Sequence, residues 1–304
     1  MDSSKINKKY TLFLSLALVV FISGCSSGGG SSGGGILSIE AFEPDIQGVE
    51  ILPGEAVKLS LIVRNTGTEK AEEIEPTITG LDGWGIKVDS CVKFSLNPPN
   101  PEFNTPGQSK QCIFSYTAPG SLPLDQTFQP KVSIKYKYKS ITVSRIKLVP
   151  REKFIIKRDS GEAVESETVF KSRSPIDIDM NTRGQASQIR LLSEGKVNFP
   201  LFVTVSNLDT GFVCTDTSCE NGLKKIKLKL STPSTDIEIK TGECINYNEI
   251  DLFKGQKGEF NCELEAGASS ELAEKLVSIT AESEPYFYNI ERAGPSLSVK
   301  RKVE

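Results

Sequence analysis

An all-β fold of antiparallel sandwiches is predicted by three features of this sequence. Short stretches alternate apolar and polar residues, as strands with one buried face do. Proline, glycine and asparagine punctuate these stretches about every ten residues, the spacing of turns in a sandwich, and no long helical pattern occurs. The clearest stretch is VKLSLIVR at 57–64, which ends at the turn signal Asn65-Thr66-Gly67. We therefore expect half-buried strands joined by tight turns.

The second half of the chain repeats the pattern of the first. Residues 197–205 alternate in the same way and end at a turn signal that begins with Asn207. The spacing from Cys112 to Tyr136 is 24 positions, and the spacing from Cys262 to Tyr286 is also 24. We interpret the two halves as divergent copies of one β-domain.

One tripeptide does not fit this spacing. Val-Ser-Ile at 132–134 recurs at 277–279, but five residues out of step with the tyrosines. An insertion near 282–285 in the second copy is the interpretation that reconciles the two.

Two tandem immunoglobulin-like antiparallel β-sandwich domains are therefore predicted, and a chain of 304 residues is long enough for two cores. The one helix candidate, SSELAEKL at 269–276, is short and is expected to connect strands across a sandwich end. The predicted segments are a signal peptide at 1–24, a lipidated cysteine and tether at 25–35, domain 1 at 36–150, a linker at 151–173 and domain 2 at 174–304.

The N-terminus has the pattern of an export signal. Three lysines precede residue 10, and an apolar run follows at 12–22, too short to cross a bilayer comfortably. The sequence Ile-Ser-Gly-Cys at 22–25 resembles the lipobox of prokaryotic lipoproteins. That resemblance implies cleavage before Cys25 and a new N-terminal cysteine that carries lipid. The alternatives are an uncleaved anchor and an ordinary signal with an incidental cysteine.

Ten serine and glycine residues, 26–35, follow the cysteine. Such a run buries no apolar area, and we expect a flexible coil with a root-mean-square span of about 17 Å. A cloning linker has a similar composition, but the position directly after Cys25 favours a natural tether. We therefore predict an extracytoplasmic protein that is held to the cell membrane by lipid.

The stretch PGEAVKLSLIVRNTGT at 53–68 resembles the CARDB-like and related immunoglobulin-like domains that occur in tandem on bacterial and archaeal surface proteins. The resemblance covers the first half of the chain directly and the second half only through the internal repeat, where Ser206 and Leu208-Asp209 depart from the pattern. It implies a binding or spacer module outside the cytoplasm. It implies no catalytic residues.

Six cysteines follow Cys25, and an even number in an exported chain indicates disulfides. Closing a loop of about 20 residues contributes on the order of 3 kcal/mol in the chain-entropy model. A zinc site built from the last four of these cysteines is the alternative, although they lack paired CxxC spacing. The expected disulfides are Cys91 with Cys112, Cys214 with Cys219 and Cys244 with Cys262.

Three further patterns have a binding and a structural interpretation. Asp177, Asp179 and Asn181 alternate as in a calcium loop, but the later positions of that motif are absent and a strand edge is the better interpretation. Lysine-rich strands at 131–139 and 224–229 could bind anionic glycans or headgroups, or could be solvated faces that protect sheet edges. Trp84 could contact a ligand or plug a sandwich end.

The composition argues against several functional classes. The chain has no histidine, which excludes Ser-His and Cys-His catalysis. Its 36 basic and 39 acidic residues nearly balance, so no nucleic-acid partner is indicated. No pair of carboxylates suggests a glycosidase, and no cofactor or metal site is expected.

The sequence therefore predicts a non-catalytic, lipid-anchored surface protein for adhesion, envelope organisation, or binding of a surface protein or glycan. The alternative is an extracytoplasmic binding subunit of a membrane complex or transporter, which a large apolar-lined pocket would favour. A hydrolase would need a polar cleft with two carboxylates.

Overall fold

Alternating residues form the strands that the sequence predicts, because every second side chain of a strand points to the same face. In the strand β2 (Ala56–Asn65), Val57, Leu59, Leu61 and Val63 are all fully buried. The protein is all-β, with several antiparallel sheets. The computed structural model describes residues 36–45, 50–89, 91–161, 170–182, 188–191, 196–214, 219, 225–240, 244, 246, 248–267 and 274–301.

Each half of the chain contributes one four-stranded antiparallel sheet. The first has the order β1-β2-β6-β4, and the second has the order β11-β13-β18-β16. The first sheet consists of β1 (Leu37–Pro44), β2 (Ala56–Asn65), β6 (Ser109–Thr117) and β4 (Gly85–Asp89). The second consists of β11 (Ile176–Asn181), β13 (Lys196–Asn207), β18 (Lys257–Gly267) and β16 (Ile237–Ile239). The matching orders agree with the predicted internal repeat.

The other large sheets combine strands from both halves. One has the order β14-β20-β8-β3-β5, and its strands are β14 (Phe212–Cys214), β20 (Tyr286–Ala293), β8 (Lys131–Tyr138), β3 (Ala71–Thr79) and β5 (Phe94–Leu96). The other has the order β10-β9-β19-β15-β17, and its strands are β10 (Phe170–Lys171), β9 (Ile141–Pro150), β19 (Lys275–Ser283), β15 (Lys225–Ser231) and β17 (Asn248–Asp251). In addition, β12 (Gln188–Leu191) pairs with β9 in parallel, and β21 (Leu297–Val299) pairs with β7 (Gln126–Phe128).

The mixing arises because β8 and β9 do not form a hairpin with each other, and neither do β19 and β20. The two pairs of consecutive strands exchange their second members instead. Only residues 139–140 separate β8 from β9, and only residues 284–285 separate β19 from β20. Yet β8 pairs with β20, and β9 pairs with β19. The paired residues run from Tyr138 opposite Tyr286 on one side to Ile141 opposite Glu282 on the other. We call the crossing connections 139–140 and 284–285 the seam.

The exchange corrects the interpretation of the tyrosine spacing. The tripeptide at 132–134 lies in β8 and its repeat at 277–279 lies in β19, at equivalent places in the two mixed sheets. Tyr136 lies in β8, whereas Tyr288 lies in β20 directly opposite it. The tyrosines are therefore cross-strand partners rather than repeated positions, and no insertion at 282–285 is needed.

The predicted boundaries at 150 and 174 remain a prediction about the chain, but the sheets extend across them. Gly33–Glu304 forms one compact unit. Each mixed sheet contains strands from both sides of the predicted linker: β3, β5 and β8 join β14 and β20 in one, and β9 joins β12, β15, β17 and β19 in the other.

A nine-residue helix, α1 (Arg151–Asp159), lies inside the predicted linker. Pro150 precedes it, Glu152 stands in its first turn, and basic residues stand in its last turn, all of which favour a helix. Its Phe154 is buried. The predicted helix at 269–276 falls largely outside the described residues, and its last two residues belong to strand β19.

Candidate functional site

Hydrogen bonds at the seam join the connection 139–140 to the end of β19 and the start of β20. The Ser140 N–H donates to Ser283 Oγ at 2.8 Å, and the Ser283 N–H donates to the Ser140 carbonyl at 2.9 Å. The hydroxyls of Ser140 and Tyr286 also lie 2.8 Å apart. Because these polar groups are buried and paired, the crossing adds little desolvation cost.

Four buried tyrosines, Tyr136, Tyr138, Tyr286 and Tyr288, lie next to the seam. The rings of Tyr136 and Tyr288 meet edge to face, with centroids 5.8 Å apart. The Tyr288 hydroxyl donates to Asn207 Oδ1 at 2.7 Å. The Tyr138 hydroxyl donates to the Arg173 carbonyl at 3.2 Å, and burial raises the pKa of Tyr138 to about 12.

Tyr136 differs from its neighbours in the tyrosine cluster. Its hydroxyl is buried and has no hydrogen-bond partner among the described residues. Burial raises the pKa of Tyr136 well above its ordinary value, and the charge of Asp209 adds to the shift. Among the described residues, the ring therefore contributes apolar packing and its hydroxyl makes no hydrogen bond.

Equivalent asparagines end strands β2 and β13 and organise the loops that follow. The side-chain amide of Asn65 donates to the carbonyls of Glu69 and Leu96 at 2.8 and 3.0 Å. The amide of Asn207 donates to the Gly211 carbonyl at 2.9 Å. The asparagine in the Asn-Thr-Gly motif therefore has a structural role in capping a loop.

A cavity of about 250 Å³ lies where these loops approach the start of β1 and β11. Its lining residues are Ile36, Ser172, Arg173, Ser174, Pro175, Asp177, Leu208 and Asp209. The hydroxyls of Ser172 and Ser174 are already bonded to main-chain groups. The cavity is smaller than about 300 Å³, the lower end for drug-sized ligands.

Asp209 brings an acidic group to this cavity. Its Oδ1 accepts the Thr210 N–H at 2.7 Å, and its Oδ2 is buried without a partner among the described residues. Burial of a carboxylate oxygen without a partner is costly. The sequence analysis named Leu208-Asp209 only as a departure from the repeat pattern and gave Asp209 no role in a site.

The aspartates of the calcium-like pattern face a lysine. Lys171 Nζ lies 3.0 Å from both Asp177 Oδ2 and Asp179 Oδ1. Partial burial lowers the pKa of Lys171, but the hydrogen bonds to the two aspartates outweigh this and raise it. The Lys171 ammonium lies between the two carboxylates, where a calcium ion would otherwise bind. This agrees with the strand-edge interpretation.

The lysine-rich strands are neutralised by acidic neighbours. In the first mixed sheet Lys135 pairs with Glu75 at 2.9 Å, and Lys131 pairs with a glutamate of the adjacent strand β20. Lys139, in the seam, pairs with Glu282 of β19. In the second, Lys227 pairs with Glu284 at 3.4 Å. These ladders favour solvated faces over basic surfaces for anionic ligands.

Trp84 is buried, and its ring meets Phe128 edge to face with centroids 5.5 Å apart. Its indole N–H has no partner among the described residues. This environment corresponds to the predicted plug rather than to an exposed ligand contact.

The structure pairs the six later cysteines as the sequence predicts. The Cα atoms are 5.4 Å apart in Cys91–Cys112, 4.7 Å apart in Cys214–Cys219 and 6.0 Å apart in Cys244–Cys262. Cys91 follows β4 and bonds to Cys112 in β6, and Cys244 follows β16 and bonds to Cys262 in β18. The first and third disulfides therefore hold equivalent positions in the two four-stranded sheets. Since thiolates are consumed in these bonds, the alternative four-cysteine zinc site is wrong.

The remaining predicted site residue, Cys25, lies outside the described residues. Within the described ranges, no group of three or more cysteine, aspartate or glutamate side chains could hold a metal ion. No helix in the described part of the chain has the length and apolarity that a bilayer crossing requires.

Comparison with known proteins gives no family. No protein-family model matches the chain, and no curated protein matches it significantly. Three solved structures illustrate how distant the structural similarities are. A protein of unknown function from Porphyromonas gingivalis W83 is 10% identical, covers 77% of this chain and 84% of its own, and has a TM-score of 0.20.

The other two are equally remote. The secreted serine protease VesC from Vibrio cholerae is 12% identical, covers 78% of this chain and 48% of its own, and has a TM-score of 0.19. The pilus backbone RrgB from Streptococcus pneumoniae is 8% identical, covers 78% and 93%, and has a TM-score of 0.16. Scores this low carry no argument about fold or function.

Proposed function

We propose that this chain is a non-catalytic surface protein, anchored outside the cytoplasm by a lipid on Cys25, which presents a rigid pair of β-sheet units to a surface protein or glycan. The exchange of strands at the seam is the observation that supports it most. Separating the two units would break the β8–β20 and β9–β19 pairings together. A rigid double unit suits adhesion or envelope organisation.

The disulfides and the ion-pair ladders add support. Three disulfides suit an oxidising compartment. The ladders leave the broad sheet faces polar and nearly neutral, as expected for surfaces in contact with water. Neither feature supplies an acid, base or nucleophile for catalysis.

The intact mass of membrane-extracted protein, measured without reductant, tests this proposal. We expect a chain that starts at Cys25, carries lipid and has lost six hydrogens to three disulfides. A Cys25→Ser variant is the matched control and should leave the membrane fraction. A full-length, unmodified chain with free thiols would refute the proposal.

A binding subunit of a membrane complex is the second candidate, and the cavity at Asp209 is the observation in its favour. Its volume of about 250 Å³ lies below the range usual for drug-sized ligands, which favours a small ligand. The Asp209→Asn variant distinguishes the binding subunit from the surface protein. A binding subunit should lose ligand binding while its lipid anchor stays intact, whereas the surface protein should be unaffected.

A further inference from the structure

Two phenylalanines are exposed at equivalent loop tips. Phe103 and Phe253 are 75% and 74% exposed, in the loops that precede β6 and β18. Each is followed by a non-glycine residue with positive φ, Asn104 at 49° and Lys254 at 51°. This conformation marks a tight turn, which holds both rings outward on short, hydrogen-bonded loops.

The first of these loops lies beside Ile36, the first described residue after the predicted tether. The Thr66 N–H donates to the Ile36 carbonyl at 2.7 Å. The neighbouring Asn65 N–H donates to the Gln108 carbonyl at 3.0 Å. The loop with Phe103 therefore meets the same end of β2 as the chain that leads to Cys25.

The second loop approaches Ile36 from the other half of the chain. Leu208 lines the same cavity as Ile36 and is 70% exposed. The adjacent Asn207 amide donates to the Gly255 carbonyl at 3.3 Å, in the turn that carries Phe253. Three large, exposed apolar side chains thus belong to loops that converge on the start of β1.

The chain length before Ile36 limits how far this region can lie from a membrane. Ten residues, 26–35, separate Cys25 from Ile36. Fully extended, ten residues span at most about 35 Å. A lipid on Cys25 therefore confines Ile36 to within about 35 Å of the bilayer. The loops beside Ile36 are the described surface nearest to the anchor along the chain, whereas the opposite sheet ends lie about 30 Å from Ile36, at the far end of a nine-residue strand such as β6.

We propose that the loop tips with Phe103, Leu208 and Phe253 form a docking surface for the lipid bilayer in which Cys25 is anchored. Exposed aromatic rings partition into the membrane interface. Lys254 Nζ lies 5.4 Å from the Phe253 ring centroid, where the ammonium can meet a lipid phosphate while the ring enters the acyl region. This inference rests on the proposed lipid anchor and adds the face that the protein turns to the membrane.

Tryptophan fluorescence in vesicles tests the docking surface. The full-length, membrane-extracted protein is incorporated into phosphatidylethanolamine–phosphatidylglycerol vesicles with or without brominated acyl chains, as the variants Phe103→Trp and Phe253→Trp. Leu124→Trp is the matched control, because Leu124 is 69% exposed beyond the opposite end of β6. The wild type reports Trp84, which is buried.

We expect bromine to quench the new emission of the F103W and F253W variants and to leave the L124W variant and the wild type unchanged. The docking surface is wrong if the variants float with the vesicles yet keep their emission, or if L124W is quenched equally. In both cases flotation shows that the anchor is intact. A protein that does not float would instead overturn the anchor, and the docking surface with it.

Discussion

Tyr136 and Tyr288 lie directly opposite each other on strands β8 and β20, although 152 positions separate them in the sequence. Their contact exists because β20 completes the sheet of the first half of the chain, while β9 completes the sheet of the second. Each half therefore buries a strand that the other half supplies. This reciprocity makes the folding of the two halves interdependent.

We expect the two halves to unfold in one transition. Trp84 is the one tryptophan of the chain and reports on the first half, whereas amide hydrogen exchange in β13 and β18 reports on the second. Both probes should give the same free energy of unfolding in a denaturant series, because neither sheet survives the loss of its exchanged strand. Exchange in β13 and β18 at a clearly lower free energy, with Trp84 still native, would contradict this expectation.

The hydroxyls of two neighbouring tyrosines should have unequal effects on stability. Tyr138→Phe removes the bond donated to Arg173 and the one accepted from the Glu69 N–H at 2.9 Å, and should cost about 1–2 kcal/mol. Tyr136→Phe removes a hydroxyl without a described partner, so its effect should lie between about zero and a gain of 1 kcal/mol. Urea denaturation of the two variants measures the difference. Equal losses would show that Tyr136 has a partner after all.

Glycine is required where the loops after β2 and β13 pass the tyrosines. A Cβ atom at Gly67 would overlap the Tyr138 hydroxyl and the Ile36 side chain, and one at Gly211 would overlap the Asn289 carbonyl. Gly67→Ala and Gly211→Ala should each destabilise the protein by about 1–3 kcal/mol. Gly120→Ala is the control, since nothing lies within 4 Å of its added Cβ. Thermal melts that do not separate the three variants would disprove the requirement.

Glu274 should make stability depend on acid pH. Hydrogen bonds from Lys147 at 2.8 Å and Lys157 at 2.6 Å lower its pKa from 4.5 to about 2. A lowered folded-state pKa stabilises the protein fully above pH 4.5, and this contribution is lost as the pH falls toward about 2. Because the pair is partly exposed to solvent, we expect about 1 kcal/mol.

The Glu274→Gln variant isolates this contribution. Wild type and variant should differ in the free energy of unfolding at neutral pH and converge near pH 2 to 3, as measured by urea denaturation at each pH. A difference that persists unchanged at low pH would mean that the side chain acts through packing rather than charge.

Local patterns in the sequence predict much of this fold. Alternation at 57–63 predicts the buried face of β2, and the even number of cysteines in an exported chain predicts the disulfides. The helix α1 could also have been predicted, since proline before its first residue, an acidic first turn and a basic last turn are established signals. The β-branched residues Ile155 and Ile156 have a lower helix propensity, which weakens the helical signal.

The exchange at the seam could not be predicted in this way. A two-residue connection such as 139–140 fits a hairpin equally well, so the local sequence does not choose between β9 and β20 as the partner of β8. The choice between them depends on long-range contacts such as Tyr286 with Ser140. The pairing of Lys171 with Asp177 and Asp179 is a local contact, but it depends on the bend between β10 and β11, which residue alternation does not predict.

The reciprocal exchange has a consequence for a molecule cut between α1 and β10. Each fragment would retain an interior strand of the sheet that its partner mainly forms, β9 in one case and β20 in the other. The nicked protein should therefore migrate as one species until denaturant is added. Two polypeptides covering residues 36–161 and 170–301, produced separately and mixed, should accordingly reconstitute by fragment complementation. The two fragments should therefore reassemble without an added dimerisation tag.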